Sequence, residues 1–331
     1  MSEAVALSVH DTVPVWQGES AADALGHSIE LAQAVDELGY QRYWVAEHHS
    51  TPALATSAPA VLAGPILAAT RTIRVGSGAV LLPNHPPLVI AEQFGVLASL
   101  YPDRVDLGIG RAAGGTPAAS ARLGDPRRQD FETALGELVG YFAAAGTGVG
   151  EVRAVPEPAV APQFWLVGSS PGSAEFAGSL GLPYVYAHAI VPGRAPQALD
   201  AYRRAFRPSS QLARPHACVS AIVVIADTDE QAARLANPFV LGQIRMRTVD
   251  PNTVLPSDAE TAAHQYTAEE EAFRRDRLDP QLIGSPQTVG PKLNELVSSC
   301  GADELFALTQ IPDHNARIRS YELLSKLAAA L

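Results

Sequence analysis

Three short stretches hold the residue types that bind and transform small molecules. In AEHHS (46–50) a carboxylate, Glu47, precedes two imidazoles, His48 and His49. An imidazole changes charge near neutral pH, so one of this pair is a candidate to move a proton, and a purely structural histidine is the alternative. Neighbours on a strand point to opposite faces, so both can meet one ligand only where the strand has already turned. There is no HExxH spacing and no nearby cysteine, so no metal site is expected. DLGIGRAAGG (106–115) runs from an apolar lead-in to glycines and Arg111. An arginine just past a strand end, among small neighbours, is placed to hold an anion, unless a nearby carboxylate takes it. GSSPG (168–172) and the following Ser173 put three hydroxyls, Ser169, Ser170 and Ser173, at a strand-to-helix turn.

Two familiar motifs resemble these stretches and fit poorly. A dinucleotide loop needs GxGxxG opening a helix directly, and an acidic strand end about 20 residues on. Here the glycines space as GxGxxxG, and TPAASARLGDPRRQDFE follows, which is loop and helix. GSSPG also matches the nucleophile elbow GxSxG, with Ser170 as nucleophile. The next residue is Pro171, which has no N–H to give to an oxyanion hole. A serine cap followed by proline is instead an ordinary helix start. The N–H groups of Gly172 and Ser173, the three hydroxyls and the helix dipole then make an anion site.

The elements that must position these residues alternate along the chain. Strands are expected at 5–11, 40–49, 72–81, 104–110, 163–169, 183–189, 217–227 and 303–312, apolar on both faces as buried parallel strands are. Helices are expected from Ser20 to Gly39, at 57–70, 90–100, around 127–145 and at 314–331. Eight strands separated by helices predict an α/β fold, a (β/α)8 TIM barrel of one domain over 1–331, with a doubly wound sheet as competitor. In a barrel, Arg111 after the fourth strand and the serine turn after the fifth are neighbours at the C-terminal face and suggest one phosphate pocket. A long insertion at about 245–284, after the seventh strand, reads as a lid or as a solvated excursion.

Composition narrows the function. A net charge of −11 argues against a nucleic-acid partner, which needs a basic face. No apolar run reaches the roughly 18–20 residues of a membrane span, and the N-terminus lacks a signal-peptide pattern. Cys218 and Cys300 lie far apart without a CxxC partner, as expected of reduced thiols in a cytoplasmic protein.

In order, AEHHS, VGSGAVLLPNHPP, RVDLGIGR, LVGSSPGSAEFAGSLGLP and IGSPQTV resemble the bacterial luciferase-like flavin monooxygenases, most nearly those of actinobacterial aromatic polyketide pathways. The resemblance covers nearly the whole chain. It implies FMN, arriving as FMNH2 from a separate NAD(P)H:flavin reductase, with Arg111, Ser169, Ser170 and Ser173 on its phosphate. It implies a non-proline cis peptide at Gly78 and Ala79 against the flavin ring, His48 as catalytic base and a homodimer. It also implies monooxygenation of an organic small molecule with O2 through a C4a-peroxyflavin. Gly110 stands where luciferase has a reactive cysteine, so the likeness does not extend to light emission. By residue type, His10, Trp16 and Tyr186 are expected at an apolar mouth suited to a flat aromatic substrate. A deazaflavin-dependent hydride-transfer enzyme and a non-catalytic partner subunit are the sister readings on the same fold.

Overall fold

The structure, a computed structural model, describes residues 5–112, 114–123, 130–143 and 149–330. Its centre is a ring of parallel strands: β1 (Ala6–Asp11), β2 (Arg42–Val45), β3 (Arg74–Leu81), β4 (Val105–Gly110), β5 (Gln163–Gly168), β6 (Tyr184–Ala187), β7 (Ala217–Ile225), then, past a short outer strand β8 (Leu282–Gly284), β9 (Glu304–Leu308). Each pairs with the next, β7 pairs with β9, and β9 returns to β1, so the ring closes with eight strands. This is a (β/α)8 TIM barrel. β8 lies outside the ring, paired only to the end of β7 through Val223 and Leu282.

The sequence chemistry accounts for the parts. All nine residues of β7 and all six of β4 are buried, because one face fills the barrel and the other meets helices. Ser20 starts the first helix, Ala21–Glu37, through a capping box with Asp23. The helix expected around 127–145 is described over Phe131–Gly140, capped by Asp130; residues 127–129 and 144–145 lie outside the described residues.

Two expected boundaries move in ways that matter. The second strand stops at Val45 instead of 49, so AEHHS is already loop: the His48 N–H donates to Thr56 O and the His49 N–H to Gly114 O. The glycines of DLGIGRAAGG also find their reason. A Cβ on Gly108 would stand 2.1 Å from Ser77 O, and one on Gly114, at φ +66°, would stand 1.8 Å from Leu81 Cδ1. They let β4 and its loop close on β3.

The insertion contains the end of the Asp229–Thr248 helix, two short helices, Asp258–Ala263 and Ala268–Leu278, and β8. Leu255 ties it to the loop after β1, its N–H donating to Val15 O and its carbonyl accepting from Gln17 N–H.

Candidate active site

A cavity of about 560 Å³ opens at the C-terminal end of the barrel. Barrel enzymes place their chemistry at that end because every strand delivers a loop there. Arg111, Ser169, Ser170, Ser173, His10, His48, Gly78 and Ala79 all line it, so the loop after β4 and the turn after β5 share one space with the first three strands.

The serine turn is built as the sequence suggests. Ser170 caps the Pro171–Ser179 helix, its Oγ accepting from Ser173 N–H at 3.2 Å, while Ser173 Oγ accepts from Ser170 N–H at 3.3 Å. Ser173 Oγ also lies 2.9 Å from Tyr184 Oη. The Ser173 N–H is therefore engaged by the cap, not free for an anion. The Ser169 hydroxyl has no hydrogen-bond partner among the described residues, and Arg111 is exposed and forms no ion pair with them. Gly172 does not line the cavity. It borders an outer hollow between its own helix and Ala195–Ala205, near Phe176 and Arg204.

Across the mouth stand two imidazoles. Burial pushes the His10 pKa down, opposed by a hydrogen bond to the Gly78 backbone and the Asp11 charge. His48 is held down to about 4, chiefly by burial and then by neighbouring His10. Both are neutral at pH 7. His10 Nε2 and His48 Nδ1 are buried with no partner among the described residues, and both side chains border the cavity. Between them and Arg111 runs β3, whose Gly78–Ala79 peptide is cis. A Cβ on Gly78 would come 2.9 Å from Trp44 Cε3 and 3.3 Å from His10 Cδ2, so glycine keeps this wall flat. Trp44 and Phe306 form the floor.

Glu47 is the keystone behind His48. Its Oε1 accepts from His49 Nε2 at 2.7 Å and His85 Nε2 at 2.8 Å, and its Oε2 accepts from Leu81 N–H at 3.1 Å. Despite burial, hydrogen bonds and the His85 charge hold its pKa below the usual carboxylate value. His48 is thereby separated from His49: one faces the cavity, the other serves Glu47. His85 is 38 positions from Glu47, so sequence spacing could not join them.

Trp16 and Tyr186, expected at the mouth, do not line the cavity. Trp16 is buried beside Leu255, which it meets in a β-bridge, so its indole anchors the insertion. Val185 and Ala187 face the cavity, and strand alternation turns Tyr186 away, its hydroxyl donating to Val191 O at 2.9 Å. Sequence reasoning missed Gln310 and Thr12, joined at 2.6 Å on the lining, and Arg277 from the insertion. Gln310 could have been found as a polar residue just past a barrel strand's end. Arg277 lay among the charges of AEEEAFRRDRL, where nothing in the pattern singles it out.

Among the described residues no helix is long and apolar enough to cross a membrane. The sequence profile of the luciferase-like monooxygenases matches residues 5–304. A luciferase-like monooxygenase of Escherichia coli is 38% identical over 322 residues, covering 96% of each chain. The crystal structure of apo-MsnO8 superposes with a TM-score of 0.90 at 39% identity, covering 99% of both chains. At fold level alone, the oxygenating constituent of 3,6-diketocamphane monooxygenase from Pseudomonas putida, in complex with FMN, gives 0.73 at 22% identity over 99% of each chain. An F420-dependent secondary alcohol dehydrogenase gives 0.70 at 15%, over 98% of this chain and 99% of its own. The chain belongs to the luciferase-like monooxygenase family.

Proposed function

We propose that the protein is an FMN-dependent monooxygenase, a single barrel domain that uses FMNH2 from a separate NAD(P)H:flavin reductase and O2 to oxygenate an apolar organic substrate. The observation that carries this reading is the convergence of Arg111 and the serine turn in one cavity with two imidazoles that each keep a nitrogen without a partner among the described residues. Arg111 would hold the FMN phosphate with the hydroxyls of Ser169 and Ser170, a charge-assisted fork beside a helix N-terminus. The flat wall at Gly78–Ala79 and the small Gly110 suit the edge of a planar ring. When bound, the reduced flavin supplies the two electrons that activate O2, so that one oxygen atom enters the substrate and the other leaves as water.

The chain's own residues do the rest. His48, unprotonated at neutral pH and on the cavity lining, accepts or returns the proton as oxygen is transferred. Glu47 fixes the loop that aims it. Leu54, Phe239, Met246, Leu255 and Leu308 give the remaining volume an apolar lining that favours an apolar body, aromatic polyketide types included, and excludes water. The insertion acts as the lid, since Met246, Leu255 and Arg277 border the cavity. Exposed Val61, Val89, Val96 and Leu100, on two helices that pack together (Pro59–Ala69 and Pro87–Leu100), offer an apolar face for a homodimer.

Titration with FMN, FMNH2 and a deazaflavin, followed by turnover with a reductase under air and under nitrogen, tests the reading. FMNH2 saturation and O2-dependent product are expected. Turnover under nitrogen with the deazaflavin overturns it in favour of hydride transfer, and failure to bind any flavin favours a non-catalytic subunit.

A further inference from the structure

The arginines of the insertion are not treated alike. Arg245 pairs with Glu260 at 3.2 Å and Arg274 with Glu271 at 2.9 Å, each at the surface. Arg277, half-buried and on the cavity wall, has no carboxylate partner among the described residues. Its bonds go to neutral oxygens: Nε donates to Gln243 Oε1 at 3.0 Å and Nη1 to Ile190 O at 3.3 Å. A guanidinium has five N–H donors in a fixed fork, so most of its capacity is uncommitted. Burial and the nearby Arg247 charge both work against its protonated form. Among the described residues Arg247 brings no acid with it either; it lies over the Phe273 ring at 4.6 Å. Ile190, which Arg277 touches, and Phe239, Met246 and Leu255 line the same cavity. A cation kept without a counter-charge in such surroundings costs free energy unless an anion joins it.

We propose that Arg277 is a second anion subsite, which receives a carboxylate at one end of an apolar substrate and so selects organic acids. This rests on the monooxygenase reading above, and it concerns a different part of the cavity from the phosphate grip. Arg111 and the serine turn follow β4 and β5. Arg277 is held by Ile190, just after β6, and by Gln243, on the helix after β7. An anion at Arg277 therefore sits round the ring from the phosphate, with the apolar body between it and His48. Two of the guanidinium's donors position it, and the others remain for a carboxylate.

Calorimetric titration of the FMN-loaded protein with decanoate, methyl decanoate and decylamine tests the assignment. The acid should bind about 10- to 100-fold more tightly than its ester, as a charge-assisted bond in a partly desolvated site does, and the amine more weakly than either. Arg277→Gln should bring acid and ester to the same affinity. Arg277→Lys, which keeps the charge and loses the fork, should restore part of the difference. Equal binding of acid and ester by the wild type overturns the assignment even if no variant folds. A preference that survives in Arg277→Gln overturns it as well. A loss of FMN affinity in Arg277→Gln matching that of Arg111→Gln would hand Arg277 to the phosphate. FMN is titrated first, so failure of the flavin reading shows as absent saturation, while the acid–ester comparison on cofactor-free protein still reads Arg277.

Discussion

The arginines that line the two ends of the barrel differ in their partners. At the N-terminal end, Arg42 lies between Asp106 at 3.1 Å and Glu304 at 3.2 Å, and Arg74 meets Asp106 at 2.6 Å. Glu304 also accepts from Ser8 and from His216 Nε2 at 3.0 Å, and Asp106 from Trp44 Nε1 at 3.0 Å. At the C-terminal end, Arg111, Arg277, His10 and His48 all face the cavity with bonding capacity unused. The aromatic layer of Trp44, Trp165 and Phe306 separates the two. Trp44 belongs to both, since its indole N–H serves Asp106 while its ring floors the cavity. The closed network at one end links β2, β3, β4 and β9, while the open one at the other leaves donors unused beside the cavity.

Breaking the closed end should have the largest effect. Glu304→Ala leaves Arg42 and His216 without their carboxylate, and removing one member of a buried ion pair costs about 3–5 kcal/mol. Urea unfolding should show that loss, with Glu304→Gln recovering part of it. A change below about 1 kcal/mol would mean that the network is not what holds this end.

At the open end the cost should fall on turnover. His48→Gln is expected to lower oxygenation about 100-fold, the lower range for loss of a general base. It should also change stability in acid. The folded protein holds His48 near 4 against 6.5 for the free side chain. Between those values the unfolded chain takes the proton and the folded one does not, so stability falls as pH drops from 6.5 towards 4. The full span is on the order of 3 kcal/mol, and His48→Gln should remove it from the pH dependence of the unfolding midpoint. An unaltered pH profile would place His48 in a wetter setting than the cavity wall.

Arg111→Ala is the middle case. Arg111 pairs with no described residue, so its loss should leave the unfolding midpoint within about 0.5 kcal/mol of wild type. FMN affinity should fall by about 1.5–3 kcal/mol, the usual contribution of a hydrogen bond to a charged group. Fluorescence titration of FMN reads this directly. Equal affinity in variant and wild type would remove the arginine from the phosphate.

The eight strands were legible because buried parallel strands carry their signal in every residue, as in the runs of β4 and β7. The shared cavity of Arg111 and the serine turn was legible because in a barrel consecutive strand ends are neighbours, so two local motifs sufficed. Ring closure does not help where a side chain's direction decides. Tyr186 has the right strand and the wrong parity, and Trp16 follows its strand but turns into the insertion. The Glu47–His85 contact joins residues that no local pattern relates, and the state of Arg277 depends on which carboxylates fail to reach it. Pattern reports elements and their ends; partner choice appears only once the chain is packed.

Ser170 sets the two kinds of bonding against each other in a single side chain, since it caps a helix and also faces the cavity. Alanine there should cost about 1 kcal/mol of stability through the lost cap and also weaken FMN, so it cannot separate the roles. Aspartate can. It caps a helix as well as serine and complements the positive end of the dipole, so Ser170→Asp should unfold close to wild type. The same carboxylate would stand in the proposed phosphate site, where two anions compete for Arg111. FMN affinity should therefore fall further in Ser170→Asp than in Ser170→Ala, and the gap should narrow as salt is raised. If the aspartate variant instead bound FMN like the wild type, the turn would be a closed structural feature like the barrel's other end, and the phosphate would lie elsewhere.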